Sequence, residues 1–470
     1  MAIATTTPHS ALLEALPGAL PGVERRAAIP GGFCAVGGTA GIKPSGRPDL
    51  AIVATLVDPA SGRRRAASVA AVFTPNAFAA APVRLSQAHL AATEPSGGGR
   101  FGFASAVVST SGSANAATGP VGDADQAEIA DHAAGVLAAE TEETLLLSTG
   151  VIGARLPVDK VRAGLTALAP KLSANDAGLA AAAEALRTTD TRVKAATVTL
   201  TLPDPDGLAV RSVRVTGIAK GVGMIHPRMA TMLSIVLTDA TVEPATLHAL
   251  LRPAAARTWD QLTVDGDTST NDTVFLLASG AAGVATVQAG TREAAALGGA
   301  IEAVARDLAR QQAADGEGAT TLVTCQVSGA TDDADARAVA RAVISSSLVK
   351  AAAHGRDPNW GRVAGAAGNA VVADEAVLVA AGMPREAARA RSGAPAMVDP
   401  ARLRIAIAGH LVFDGPGGGP VAFDRAAARA AMQAPELLIR IDLGLGDGTG
   451  EAFGCDLTQE YVIENSEYTT

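Results

Sequence analysis

The sequence predicts an α+β fold, in which sheets pack on one another and helices cover them from outside. Two observations predict it. Short β-branched runs and long helical patterns come in groups rather than in strict alternation. The run LSIVL (233–237) is almost continuously apolar, as suits a strand covered on both faces. No internal repeat breaks this pattern. The 470 residues, 48% of them hydrophobic, suffice for two or three domains or one large layered unit.

Residues 1–28 read as a loose, flexible extension without the basic and apolar regions of a secretory signal. Ordered structure is expected from Ile29. AIVATLVD (51–58), ASVAAVFT (67–74) and ASAVVST (104–110) are bounded by Gly, Pro and Ser and read as strands. Residues 124–140 carry apolar positions at helical spacing with acids early, and 156–172 read as a second helix. KAATVTLTL (194–202) and GLAVRSVRVT (207–216) are strands joined by the turn PDPDG, where Pro fixes φ and Gly accepts positive φ. MLSIVLTDA (232–240) follows as a strand. Helices are expected at 292–313, 332–353 and 424–433, and strands at 272–278, 320–328, 403–409 and 436–442.

Composition excludes several functions. A formal net charge of −9 argues against a nucleic-acid partner, which needs a basic face. Cys34, Cys325 and Cys455 lie far apart and lack metal spacing, so neither zinc nor a disulfide framework is expected. The acids Asp265, Asp267 and Asp272 in VDGDTSTND lack the distal Glu of a calcium loop, so no metal is expected there. PSGGGR (95–100) and GPGGGP (415–420) read as loop tips, and GLGDGTG (444–450) opens no helix, so no nucleotide cofactor is expected. No apolar run reaches the length of a membrane helix, and the expected location is the cytoplasm.

The chemistry concentrates in GIAKGVGMIHPRMATMLSIVLTDA (217–240). A Gly-rich loop runs into Ala230 and Thr231 and then into the apolar strand. A small residue before a Thr at the mouth of a strand suits self-cleavage. The hydroxyl attacks the preceding carbonyl, and water then frees Thr231 as a new N-terminus. Its α-amine, with a pKa near 7.7–8.0, can serve the same residue's hydroxyl as base. His226 and His354 have no Ser or Cys motif beside them and read as structural histidines. Asn359 and Trp360 in DPNWGR read as a tight corner.

This segment resembles the cleavage motif of the glutamate N-acetyltransferase family, also called ornithine acetyltransferase. Further blocks resemble the same family in order: PGGFCAVGGTAGIKPSGRPDLAIV (30–53), VFTPNAFAAAPV (72–83), SGSANAATG (111–119), LLLSTGVIG (145–153), TTDT (188–191), VDGDTSTND (264–272), DGEGAT (315–320), VKAAAHGRDPNWGR (349–362) and GCDLTQEYVIENSEYTT (454–470). The resemblance implies an N-terminal-nucleophile-like sandwich of sheets, cut at Ala230–Thr231 into an α chain (29–230) and a β chain (231–470), assembled as a heterotetramer of two of each. It implies Thr231 as nucleophile, Thr149 and Gly150 as the oxyanion hole, and Thr189, Lys220, Thr231, Glu317, Asn465 and Thr470 as substrate contacts. It implies acetyl transfer from N2-acetylornithine to glutamate without a cofactor, and leaves acetyl-CoA open as a second donor. Arg228 and Ser113 depart from the Asn commoner in the family at those places. Two alternatives stay open: a self-processing amidase or aminopeptidase of similar architecture, in which water takes the acyl group, and a paralogous acetyltransferase of secondary metabolism.

Overall fold

A computed structural model describes residues 19–226 and 232–466. The first ten strands in chain order are β1 (Phe33–Gly38), β2 (Leu50–Thr55), β3 (Ala67–Phe73), β4 (Phe101–Ala104), β5 (Ala106–Ser113), β6 (Thr144–Val151), β7 (Lys194–Pro203), β8 (Val210–Lys220), β9 (Leu233–Thr238) and β10 (Thr273–Ala278). They form a four-stranded sheet, β1-β2-β5-β6, and a six-stranded sheet, β4-β3-β10-β9-β8-β7. The β5–β6 and β9–β10 pairs are parallel and the other pairs antiparallel.

Side-chain alternation assembles the layers. In β2, Ala51 and Val53 join a core shared with Leu233, Ile235 and Leu237 of β9, so the two sheets pack face to face. Leu50 and Ile52 point the other way, onto the helices α2 (Gly119–Leu137) and α3 (Val158–Leu168), which follow α1 (Ala81–Thr93) in the chain. Helix α4 (Asp176–Leu186) buries Leu179, Ala182 and Leu186 in the inter-sheet core. The outer face of the six-stranded sheet carries α5 (Pro244–Arg257) and α6 (Arg292–Ala314), through Leu247, Leu251, Leu297, Ile301 and Val304. The LSIVL run is apolar but for Ser234 because β9 is covered on both faces.

A third sheet, β14-β13-β12-β15-β11-β16, is built from β11 (Leu322–Ala330), β12 (Arg404–Ile407), β13 (His410–Asp414), β14 (Gly419–Pro420), β15 (Glu436–Asp442) and β16 (Gly448–Cys455). It has its own core with α7 (Asp333–Ser345) and α9 (Trp360–Gly368). Between those helices runs α8 (Ser347–His354). Shorter helices α10 (Glu375–Ala380), α11 (Arg385–Arg391) and α12 (Arg425–Ala431) follow, and α13 (Gln459–Ser466) ends the described chain. The layering is the expected α+β arrangement.

Two expectations need correction. The single helix at 332–353 is two, α7 and α8. Ser346, in a run of three serines, takes an extended conformation and caps α8 by accepting from Val349 N. The segment 1–28 is described from residue 19, and there it is anchored. Val23 and Ala28 are buried, Glu24 bridges to Thr197, and Arg25 donates from Nε and Nη2 to the buried Asp307.

Candidate active site

The register of the six-stranded sheet brings three strand ends together. Lys220, last in β8, pairs with Leu233, first in β9, and Leu233 pairs in turn with Thr273, first in β10. Across the core, the end of β6 brings Thr149 and Gly150 to the same cavity as Lys220. Lys220 Nζ spans the gap and donates to Thr149 Oγ1 at 3.3 Å. Gly150 lies at φ +132°, and a Cβ there would stand 2.4 Å from the Gly112 carbonyl carbon, so the close pass of β5 and β6 requires glycine.

A cavity of about 340 Å³ opens at this point. Thr149, Gly150, Thr189, Lys220, Glu317 and Asn465 all line it. Glu317 accepts from Thr189 Oγ1 at 2.9 Å and from Asn465 Nδ2 at 3.0 Å. Three segments distant in sequence thus meet on one carboxylate. Wider clefts exist elsewhere, such as one of about 770 Å³ beside His248 and Arg252, but they gather none of these residues. Ala230, Thr231, Arg228 and Thr470 lie outside the described residues.

A buried ion network holds the cavity wall. Lys194 is fully buried and donates to Asp190 Oδ1 at 2.6 Å and to Asp315 Oδ2 at 2.5 Å. Asp190 also accepts the amides of Thr188 and Gly221. The network therefore ties the loop carrying Thr189 to the end of α6, two residues before Glu317, and to the residue after Lys220. Burial alone would raise the Asp190 carboxyl, but Lys194 and Lys220 outweigh it and hold it well below the usual carboxylate range. Burial pushes the Lys220 ammonium down from the usual lysine value, against the pull of Asp190.

The C-terminal segment is fastened before it reaches the cavity. Asp456 accepts the amides of Thr320 and Thr321, and Thr458 Oγ1 donates to Gly318 O. Helix α13 buries no side chain, yet it presents Asn465 to Glu317.

Other singled-out residues have local partners. Asp265 accepts the amides of Met224, Ile225 and Asp267, His226 contacts Thr263 Oγ1, and His354 contacts Asp456. Ser113 donates to Ala154 O and Asn359 caps α9. No group of three His, Cys, Asp or Glu that could hold a metal occurs among the described residues. No described helix is long and apolar enough to cross a membrane.

Sequence reasoning missed Asn271 as a site residue. It lines the cavity and donates from Nδ2 to Ala114 O and Ser148 O, fixing the carbonyl just before Thr149. Lys194 was missed too. Its signal was a lysine at the head of an apolar strand, where a cation needs buried partners.

The fold and site together define a layered α+β protein with a threonine, a lysine and a carboxylate around one cavity. The ArgJ family model matches residues 34–470. An arginine biosynthesis bifunctional protein ArgJ from Synechococcus sp. is 43% identical, over 94% of this chain and 96% of its own. The protein of that name from Thermus thermophilus is 42% identical, over 94% and 99%. A crystal structure of arginine biosynthesis bifunctional protein ArgJ from Bacillus halodurans is 36% identical, with TM-score 0.44, over 50% of this chain and 99% of that one. The chain belongs to the ArgJ family and is an enzyme.

Proposed function

We propose that this enzyme moves an acetyl group from N2-acetylornithine to glutamate through an acetyl ester on Thr231. Thr231 first cuts the Ala230–Thr231 bond and becomes the N-terminus of the second chain. Its hydroxyl then adds to the acetyl carbon while its α-amine takes the hydroxyl proton. The oxyanion that forms is met by the Thr149 hydroxyl and the Gly150 amide. Because Thr149 Oγ1 already accepts from Lys220, its own proton is free to donate toward that charge. Ornithine leaves with the proton from the amine, and the glutamate amine attacks the ester in its place. One amide replaces another, so no cofactor is required. Two cut pairs assemble as a heterotetramer.

One observation carries this reading. Opposite charges, Lys220 and Glu317, line the cavity into which Thr149 and Gly150 face, which suits a ligand with a carboxylate and an ammonium. Membership of a family whose relatives are named for arginine biosynthesis supports the same substrate class.

The test is a matrix of donors and acceptors, acetylornithine and acetyl-CoA against glutamate and water, run on the wild type and Thr231→Ala. The wild type is expected as two fragments, with transfer to glutamate far above hydrolysis. The variant is expected uncut and inactive. An active Thr231→Ala, or a preference for water, overturns the reading.

A further inference from the structure

The cleft of about 770 Å³ beside His248 shares no lining residue with the cavity around Thr149 and Lys220. Three separate parts of the chain enclose it: Arg100, just before β4; helix α5; and helix α10 with Arg385, the first residue of α11. On α5, His248 and Arg252 stand four residues apart and so share a face.

The charges here run against the chain as a whole. The protein carries a formal net charge of −9. Yet Arg100, Arg252 and Arg385 line the cleft against one carboxylate, Glu375, among the described residues. Nor are these cations fully neutralised by their neighbours. Arg252 donates from Nη2 to Asp260 at 2.7 Å. Arg385 stands 3.7 Å from Glu375, which Arg389 approaches at 3.3 Å, so two guanidinium groups share that carboxylate. Arg100 gives its Nε to Gly97 O at 3.2 Å, and no carboxylate pairs with it among the described residues. The His248 ring lies 5.7 Å from that of Phe101. Burial, with Arg100 and Arg252 beside it, holds the imidazole down to about 4, so it is neutral at neutral pH. A concave surface of one dominant sign, with apolar walls, concentrates ions of the opposite sign.

We propose that this cleft binds a phosphate ester with an apolar body, its phosphate held among the Arg100, Arg252 and Arg385 guanidinium groups. A carboxylate is planar and suits one guanidinium fork, whereas phosphate offers oxygens in several directions and can meet cations from separate elements. With a single lining carboxylate, a doubly charged group is tolerated. Ala249, Pro253, Val379 and Ala380 supply the apolar wall for the body of the ligand. The volume lies within the roughly 300–1,000 Å³ of small-molecule sites.

The experiment titrates the full protein calorimetrically with phenyl phosphate, adenosine monophosphate, glycerol 3-phosphate, inorganic phosphate and benzoate. Phenyl phosphate and adenosine monophosphate are expected to bind about tenfold or more tightly than the other three, because only they combine a phosphate with an apolar body. Arg100→Gln and Arg385→Gln are each expected to weaken phenyl phosphate about tenfold, with melting temperature and acetyl transfer as in the wild type. Saturating ornithine is expected to leave phenyl phosphate binding unchanged. Benzoate or glycerol 3-phosphate binding as tightly as phenyl phosphate overturns the proposal. So does displacement by ornithine, which would put the probe in the other cavity, and so does a Kd that neither variant moves. If one variant does not fold, the other is read alone. Failure of both to fold makes the arginines structural and overturns the proposal as well.

Discussion

Thr149 and Asp190 illustrate what single residues decide. Losing one oxyanion donor typically costs about a hundred- to a thousandfold in kcat. With Thr149 as the proposed oxyanion donor, Thr149→Ala is expected to lose that factor in kcat with KM little changed, measured over a range of acetylornithine concentrations. Asp190 belongs to the buried network, and its expected effect on stability follows from its shifted proton affinity. Its folded-state proton affinity lies below the ordinary value near 3.9, so its contribution is present above that pH. It is lost as pH falls through the lower folded value, because the unfolded chain then binds the extra proton. In a series of melting curves below about pH 4, Asp190→Asn should show a shallower acid decline than wild type. The motifs named Thr149, Gly150, Thr189, Lys220, Glu317 and Asn465, and all six meet in one cavity. They did not reveal what holds them. Lys194 pairs with Asp315 across 121 positions of sequence, and only the folded register brings such partners together.

At the scale of elements, legibility followed contrast. The strands β2, β3, β7 and β15 were readable because apolar residues stand out against turn residues at their ends. Helix α4 (DAGLAAAAEAL) was not, since alanine fills both its faces and leaves no periodic contrast. Helix α13 was missed because it buries nothing, and its placement rests on the backbone it docks against. Gly318 is that docking point. It lies at φ +65°, and a Cβ there would stand 2.3 Å from Tyr461 N. Gly318→Ala should push α13 away and release Asn465 from Glu317. A hydrogen bond to a charged group is worth about 1.5–3 kcal/mol, roughly ten- to a hundredfold. The variant is expected to raise KM for acetylornithine by that order while scission proceeds. An unchanged KM would remove α13 from the site.

For the whole molecule, the layered class was readable from the grouping of elements, but the order of strands was not. β9 and β10 stand between β3 and β8, so the later half of the chain is inserted into a sheet begun by the earlier half. A linear sequence carries no mark of such insertion, because pairing across long separations depends on which edge is free when the strands meet.

With this insertion, the proposed scission at Ala230–Thr231 would be a one-way step in the life of the protein. Before the cut, residues 221–232 tether β8 to β9, so the strand meets its place at a local concentration set by a short linker, of the order of millimolar. After the proposed cut, the same six-stranded sheet would belong to two molecules, and rebuilding it would become an encounter between them. Refolding from denaturant should accordingly be independent of concentration for Thr231→Ala, while for the cut enzyme its rate and yield should rise with concentration. Dilution before refolding, followed by intrinsic fluorescence, measures the difference.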